Sequence, residues 1–216
     1  MLFYNLLLFL LYPLLWLVSR LHRRLRQNFV LRENLPDFSA ARDKKHIWFH
    51  AASAGEFEQV RALAIEMRKN NKDFYFSFSF FSDSAWRARK NDSVPDAFFA
   101  LPFDFPWRMR SLVAKMKPDA LIIGKYDAWP NQVAVCRNAG VPVYLVSATL
   151  PEKSLRHKFP LRVFMGKIYR PMRSIFAINA QHAERLRTIS PLNVFESGDT
   201  RFDAIAFRLQ EGAVHA

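Results

Sequence analysis

A serine, a glycine and a glutamate lie close together in the stretch HAASAGEFEQ, residues 50–59. Ser53 and Gly55 are small, so a ligand can approach the backbone closely here. Glu56 stands where a helical pattern begins, and a carboxylate can act as a general base if it lies within hydrogen-bond reach of the proton that it removes. A carboxylate also suits the first turn of any helix, because the positive end of the helix dipole favours it. Both interpretations of Glu56 stay open at this level.

A second loop with several polar and aromatic groups is GKYDAWPN, residues 124–131. It follows a strongly apolar run and contains a cation (Lys125), a phenol (Tyr126), a carboxylate (Asp127) and an indole (Trp129). Carboxylate and aromatic side chains together are what a sugar-binding site requires. A structural interpretation also fits, because Asp127 could cap the helix that follows and Trp129 could pack against its first turns.

The turn SGDTRFD, residues 197–203, adds a third group. Gly198 permits a tight turn, and the guanidinium of Arg201 is suited to binding a phosphate. A solvated turn without a ligand fits the same residues. Both interpretations of this turn stay open.

Histidine and cysteine spacing predicts no metal site. His46 and His50 lie in a predicted strand, where four residues separate two side chains by roughly 13 Å, which is too far for one ion. His50 is then expected to be a core or supporting residue. Cys136 is the one cysteine of the chain, and its apolar helical surroundings predict a buried, unreactive thiol.

Short apolar segments alternate with amphipathic ones from residue 46 onward. Apolar runs predict strands at 47–52, 74–81, 97–103, 120–126, 141–148, 174–180 and 193–199. Helical periodicity or helix start and stop signals predict helices at 57–69, 106–116, 129–140 and 183–189. This alternation is typical of an α/β fold with a mostly parallel sheet covered on both faces. Ligands bind at the carboxyl ends of such strands, where all three candidate loops lie.

The composition fits a folded chain with an anionic partner. Its 216 residues are 50% hydrophobic, and 32 Lys and Arg against 19 Asp and Glu give a formal net charge of +13. A charge of this size favours nucleic acid, an acidic membrane surface or a phosphorylated substrate. Zinc-finger spacing and aromatic RNA-binding motifs do not occur in the sequence, so we do not expect a nucleic-acid partner.

The first residues of the chain favour an acidic membrane surface as the anionic partner. MLFYNLLLFLLYPLLWLV, residues 1–18, carries no charged side chain, and about 20 apolar residues are needed to cross a bilayer. This segment either spans the membrane or lies in its interface, and the Arg-rich flank that follows favours a domain on the cytoplasmic side. We predict a membrane-anchor helix with its basic flank at 1–27, a linker at 28–45 and one α/β domain at 46–216.

Taken together and in this order, these segments resemble the N-terminal half of the Kdo transferases, which move 3-deoxy-D-manno-octulosonic acid (Kdo) from CMP-Kdo to lipid A precursors. The matching stretches are WFHAASAGE (48–56), LPFDFPWRMRSLVAKMKPDALII (101–123), WPNQVAVCRNAGVPVYLVSATLPEKS (129–154), FAINAQHAERL (176–186) and SGDTRFD (197–203). The apolar N-terminus matches as well, and the resemblance covers nearly the whole chain.

The resemblance implies the acceptor-binding half of a two-domain GT-B glycosyltransferase, with a Rossmann-like parallel sheet flanked by helices. It implies that Glu56 is the general base of an inverting transfer, kept ionised by the helix start behind it. Asp127 is expected to act as an acid or to position the acceptor. We assign substrate contacts to a further set of residues: Ser53, Gly55, Lys125, Trp129, Asn131 and Arg201. The family implies no metal, no cofactor besides the donor CMP-Kdo, and a place on the cytoplasmic face of the bacterial inner membrane.

The chain departs from the family pattern in its loops. Where the family has E-T-E-L-W-P-N, this chain has Lys125 and the shorter acid Asp127, and SATLP at 147–151 replaces N-A-R-L-S. The usual G-N-x-K-F-D becomes GDTRFD. The family's second domain, which carries most of the CMP-Kdo site, would lie beyond Ala216. We therefore expect an acceptor half that needs a second domain or partner chain, and the alternative is a non-catalytic membrane-bound module that binds acidic glycolipid.

Overall fold

The computed structural model of the chain describes residues 1–82, 85–87, 91–125, 127–191 and 193–214, with the backbone alone for 210–214. Tyr126, the phenol of the second candidate loop, lies outside the described residues.

The described part of the chain forms one parallel sheet of seven strands. Their bounds are Lys45–Ala51 (β1), Phe74–Phe80 (β2), Ala97–Ala100 (β3), Ala120–Gly124 (β4), Val143–Ala148 (β5), Ser174–Ala177 (β6) and Val194–Glu196 (β7). The strand order is β3-β2-β1-β4-β5-β6-β7. This is a Rossmann-like order, and it reverses between β1 and β4, where such sheets open a crevice for ligands. The predicted parallel sheet is confirmed.

Helices precede the sheet and connect most of its strands. Their bounds are Leu2–Leu21 (α1), Arg23–Glu33 (α2), Ala54–Asn70 (α3), Pro106–Met116 (α4), Pro130–Asn138 (α5), Leu161–Tyr169 (α6), Ala180–Arg187 (α7) and Thr200–Val214 (α8). Single turns of 3-10 helix cover Ser39–Ala41 and Leu155–His157. β6 and β7 end before residues 180 and 199, where the sequence predicted their ends. After β6, the side chain of Asn179 caps α7 by accepting a hydrogen bond from the backbone N–H of His182.

Both faces of the sheet are covered, because neighbouring residues of each strand point to opposite sides. Trp48 of β1 packs in the core formed with α4, α5, α6 and α7, whereas Phe49 packs in the core formed with α3. α8 lies beside α3, where Arg208 and Glu58 form an ion pair of 3.2 Å. The sheet therefore carries helices on both faces, as the alternating pattern predicted.

The structure differs from the predicted linker 28–45 at its start, because α2 continues to Glu33. Arg32 near its end is buried, and its guanidinium donates hydrogen bonds to the carbonyl oxygens of Leu101 and Phe81. The guanidinium also lies 4.1 Å from the centre of the Phe81 ring. Arg32 thus fixes α2 to the loops that follow β2 and β3, and burial lowers its pKa to about 10.

α1 lies along the carboxyl end of the sheet. By length and composition it could cross a membrane. Its polar side chains nevertheless contact the domain: Tyr4 donates to Asp104 at 3.0 Å, and Tyr12 accepts from Arg108 at 2.9 Å. The other faces of α1 expose leucine and phenylalanine side chains.

Candidate active site

Glu56 lies in the first turn of α3, directly after β1. Ser53 caps this helix, because its hydroxyl accepts a hydrogen bond from the Glu56 N–H at 3.4 Å. The Glu56 carboxylate turns back and accepts the backbone N–H of Ala52 at 2.8 Å. With 6% of its surface exposed, Glu56 is buried at the carboxyl end of the central strand. The cap explains why α3 begins before the predicted residue 57.

Two glycines shape the space around this carboxylate. A Cβ on Gly124, at the end of β4, would lie 3.1 Å from a methyl carbon of Val60 and 3.7 Å from the Cβ of Glu56. Glycine there lets α3 approach β4 closely. Gly55 is exposed, and a Cβ on it would meet no protein atom within 4 Å. The first turn of α3 is therefore open on its Gly55 side, where a substrate can approach the backbone.

The charge of Glu56 is set by its surroundings. Burial raises its pKa above the ordinary value, the hydrogen bond from Ala52 lowers it, the charge of Asp127 raises it and the charge of Lys125 lowers it. The net effect is a raised pKa. The backbone N–H groups at the helix start lower this pKa, but desolvation outweighs them. The expectation that Glu56 is ionised at neutral pH stays a prediction. A raised pKa makes the ionised carboxylate a stronger proton acceptor than an ordinary glutamate.

Lys125 and Asp127 lie beside Glu56, as their electrostatic effect on it requires. Lys125 adopts a left-handed backbone conformation with φ of 67°, which turns the chain sharply out of β4. Its charge also lowers the pKa of Asp199, in the turn after β7. Burial raises the pKa of Asp127. The structure thus places two acids and one cation at the crevice between β1 and β4.

Asp104, which the sequence analysis did not single out, replaces Asp127 as the cap of α5. Its carboxylate accepts the backbone N–H groups of Asn131 and Gln132, each at 2.8 Å. The alternative interpretation of Asp127 as that cap is therefore wrong. Burial raises the pKa of Asp104 to about 7. The one available signal was a lone acid in the apolar stretch LPFDFPW, after β3.

Trp129 and Asn131 flank the start of α5. Trp129 is half-buried and stacks on Phe81 with ring centres 4.6 Å apart. Its buried indole N–H donates to no partner within the described ranges. Asn131 is buried, and its amide donates to Asn5 of α1 at 2.7 Å and to the Asp104 carbonyl. Trp129 therefore lies beside the crevice, whereas Asn131 faces α1; their substrate contacts stay predictions.

Arg201 lies at the rim of the same edge. Its exposed guanidinium forms an ion pair of 2.6 Å with Asp199. The next turn is tied to β5, because the hydroxyls of Thr200 and Ser147 lie 2.7 Å apart. Ser147 has a φ of 51°, a strained backbone conformation for a serine. Arg201 and Lys125 both interact with Asp199, so the turn at 197–203 belongs to the candidate site.

The histidines of β1 and Cys136 are core residues. His50 is fully buried, its Nδ1 lies 2.9 Å from the Ser79 hydroxyl, and burial lowers its pKa to about 3. The imidazole is therefore neutral. Cys136 is buried, and burial raises its thiol pKa to about 12. Within the described ranges, no group of three or more His, Cys, Asp or Glu side chains could hold a metal ion.

Solved structures of similar architecture share this fold at low identity. UDP-GlcNAc 2-epimerase from Neisseria meningitidis is 15% identical with a TM-score of 0.57, over 77% of this chain and 50% of that chain. MurG from Acinetobacter baumannii is 12% identical with a TM-score of 0.51, over 72% of this chain and 45% of that chain. The likeness establishes the fold as one Rossmann-like half of a GT-B architecture.

Similarity to characterised sequences is more specific. The 3-deoxy-D-manno-octulosonic acid transferase of Aquifex aeolicus is 28% identical over 80% of this chain and 45% of its own length. The enzyme of the same name from Bordetella pertussis is 25% identical over 79% of this chain and 41% of its own length. The chain thus spans less than half the length of these relatives. The profile of the family described as 3-deoxy-D-manno-octulosonic-acid transferase (kdotransferase) matches residues 23–204. Because that match covers most of the chain, the protein belongs to the Kdo transferase family.

Proposed function

We propose that this chain is the acceptor-binding half of a Kdo transferase, which moves Kdo from CMP-Kdo to a lipid A precursor in lipopolysaccharide core biosynthesis. The observation that carries the proposal is the placement of Glu56. Its carboxylate is buried at the end of β1 with a raised pKa, beside Asp127 and Lys125. General bases are commonly tuned towards working pH in this way.

The chemistry follows from that placement. Glu56 takes the proton of an acceptor sugar hydroxyl while the hydroxyl oxygen forms a bond to the anomeric carbon of Kdo. The bond from that carbon to the CMP phosphate oxygen breaks, and CMP leaves with the electron pair. Attack opposite the leaving group inverts the anomeric centre. The transfer needs no cofactor besides the donor and no metal.

The neighbouring residues have supporting roles in this proposal. Asp127 orients the acceptor sugar or acts as an acid, and its charge adds to the effect of burial in raising the pKa of Glu56. Lys125 and Arg201 supply positive charge to phosphate groups of the substrates. Ser53 fixes the start of α3, Gly55 leaves room for the acceptor, and Trp129 offers an indole face.

The membrane provides the acceptor. We propose that α1 holds the chain on the cytoplasmic face of the bacterial inner membrane, where lipid A precursors and the soluble donor can meet. Exposed side chains such as Leu2, Phe3 and Leu10 give α1 the apolar surface that this requires. The basic segment after it adds attraction to anionic lipid head groups.

A reconstitution experiment tests the proposal. The purified chain is mixed with CMP-Kdo and a tetra-acylated lipid A precursor, with and without the C-terminal half of the Aquifex aeolicus relative as donor-binding partner. Kdo-modified lipid is expected only in the complete mixture. Product from the chain alone would show that a second half is unnecessary, and the absence of product in every mixture would contradict the assignment.

A non-catalytic module that binds acidic glycolipid is the second candidate. The observation that favours it is Lys125, a cation at a position where the family has a glutamate. Lipid A precursor binding that survives Glu56→Ala, in a chain that never supports transfer with any donor half, would favour this second function.

A further inference from the structure

One stripe of α1 faces the domain in the first half of the helix. Met1, Tyr4, Asn5, Leu8 and Tyr12 are half-buried, and Ser19 is buried near the helix end. From Met1 to Tyr12 these positions have the spacing of one helix face. Residues 13–17 are exposed, and the rest of α1 is almost entirely apolar. The helix therefore lies on the domain over its first three turns.

This placement decides how α1 can meet a membrane. The partners of the stripe are polar: Asp104 accepts from Tyr4, Asn131 donates to Asn5, and Arg108 donates to Tyr12. A helix that crossed the bilayer would either lose these contacts or carry the charged groups into hydrocarbon, which is costly. A helix that lies in the interface keeps its polar stripe on the domain and its apolar faces in lipid.

A groove opens beside this helix, next to the candidate site. It has a volume of 340 Å³, within the range of ligand sites. Tyr4 of α1 and Phe164 of α6 both line it, and their rings pack against each other with centres 6.0 Å apart. The lining is otherwise mainly apolar: Ala128, Trp129, Pro130, Met165 and Ile168, with Asp127 and Arg156 as the charged members.

The groove is continuous with other surface suited to lipid. The segment that leads into α6 exposes Leu155, Phe159, Leu161 and Val163. Basic residues alternate with these apolar ones in the sequence KSLRHKFPLRVF, residues 153–164. Cations interleaved with exposed apolar side chains are typical of a surface that rests on anionic lipid. The groove thus runs from lipid-facing surface to Asp127.

We propose that α1 lies in the plane of the membrane surface and that the groove between α1 and α6 holds an acyl chain of the lipid acceptor. This inference rests on the proposed function, because it takes the acceptor to be a lipid. An acyl chain in the groove would leave the sugar head group at the crevice that contains Glu56 and Asp127.

The orientation of α1 is tested by labelling its two ends. Leu2→Cys and Leu21→Cys place thiols at positions that are 88% and 81% exposed, while buried Cys136 gives little background. Intact spheroplasts, in which only the periplasmic face of the inner membrane is accessible, are treated with a membrane-impermeant maleimide. Neither variant should react before the cells are lysed, and both should react after lysis in detergent. Reaction of Leu2→Cys in intact spheroplasts, with Leu21→Cys unreactive there, would show that α1 spans the bilayer and overturn the proposal.

The occupant of the groove is tested by photo-crosslinking in vesicles of phosphatidylethanolamine and phosphatidylglycerol. A tetra-acylated lipid A precursor with a diazirine at one acyl end should label the groove-lining residues Phe164, Met165 and Trp129, and unlabelled precursor should compete. A diazirine-phosphatidylglycerol probe should label mainly the exposed side chains of α1 and of residues 155–163. Acceptor labelling confined to those exposed side chains, or equal labelling of the groove-lining residues by both probes, would overturn the acyl-chain assignment.

Two substitutions on α6 distinguish binding of the acceptor in the groove from general contact with lipid. Met165→Gln places a polar group in the groove and should reduce acceptor labelling about tenfold, from the transfer free energy of an apolar side chain. Val163→Gln is the matched control, since Val163 is exposed on the same helix and does not line the groove. Kdo transfer with the donor half but without labelling of the groove would contradict the acyl-chain assignment and not the proposed function. Labelling of the groove without Kdo transfer would contradict the proposed function.

Discussion

Tyr4 and Asp104 are 100 residues apart in the sequence, yet the phenol of Tyr4 donates a 3.0 Å hydrogen bond to the Asp104 carboxylate. The same carboxylate accepts the first backbone N–H groups of α5, from Asn131 and Gln132. One buried acid therefore joins the apolar N-terminal helix to the helix that follows the Asp127 loop. The exposed apolar surface of α1 and the candidate site are held in a fixed relation by this contact.

The first prediction concerns the stability of that contact. Burial raises the pKa of Asp104 to about 7, above its ordinary value of 3.8, so the folded chain binds a proton more tightly than the unfolded chain. The Asp104 contribution to the free energy of unfolding should then be largest below about pH 4. It should fall by about 1.4 kcal/mol for each pH unit as pH rises to about 7.

Urea unfolding of the detergent-solubilised chain across this pH range measures the effect. Asp104→Asn removes the titrating group and should flatten the slope. Equal slopes in the two proteins would contradict the assigned pKa.

The second prediction concerns the general base. Glu56→Gln keeps the shape of the side chain but cannot accept a proton, so Kdo transfer in the two-half reaction should fall by about 10²–10⁴-fold while acceptor binding is retained. Glu66→Gln is the matched control, because Glu66 is an exposed acid on the same helix that pairs with Lys69. A normal rate in Glu56→Gln would exclude this residue as the base, and Asp127→Asn would be tested next.

The third prediction is the pH dependence of kcat. Because the base must be ionised, kcat should rise with pH through the raised pKa of Glu56, with a midpoint above its ordinary value of 4.5. Asp127 raises this pKa and Lys125 lowers it. Asp127→Asn should therefore move the midpoint to lower pH and Lys125→Met should move it to higher pH. Midpoints that do not move, or move the opposite way, would argue against this electrostatic arrangement.

The fourth prediction uses Gly55, where a Cβ would meet no protein atom within 4 Å. Gly55→Ala should leave the fold intact and raise stability by about 0.4–1 kcal/mol, because the unfolded chain loses conformational freedom. If the acceptor approaches this turn closely, the added methyl should raise the KM for the acceptor. Thermal unfolding and acceptor titration measure the two effects, and an unchanged KM would place the acceptor elsewhere.

The fifth prediction uses Gly124, where a Cβ would lie 3.1 Å from a methyl carbon of Val60. Gly124→Ala should push α3 away from β4 and cost about 1–3 kcal/mol of stability. It should also lower kcat, because Glu56 moves with α3. Full activity together with full stability would show that the close approach of helix and strand is not needed.

Local patterns predicted much of the candidate site. Glu56, Lys125 and Asp127 follow β1 and β4, and strands that are neighbours in a parallel sheet bring such residues together at one edge. The pattern could not predict the raised pKa of Glu56, since that depends on how deeply α3 packs against β4 around Gly124. Nor could it predict that Asn131 faces α1, because its partner Asn5 lies 126 residues away.

The sequence by itself determined the strands and their order along the chain, the parallel sheet and the loops at its carboxyl edge, because periodicity, caps and glycine turns act over a few residues. It predicted α1, α3, α4, α5 and α7, but not α2, α6 and α8. Tertiary structure alone decided that Asp104 caps α5 and that Arg32 holds the loops after β2 and β3. It also decided that α1 lies along the domain, with Tyr4 and Tyr12 turned inward. These contacts join residues 27 to 100 positions apart, and a buried polar group takes whichever partner the packed fold brings to it.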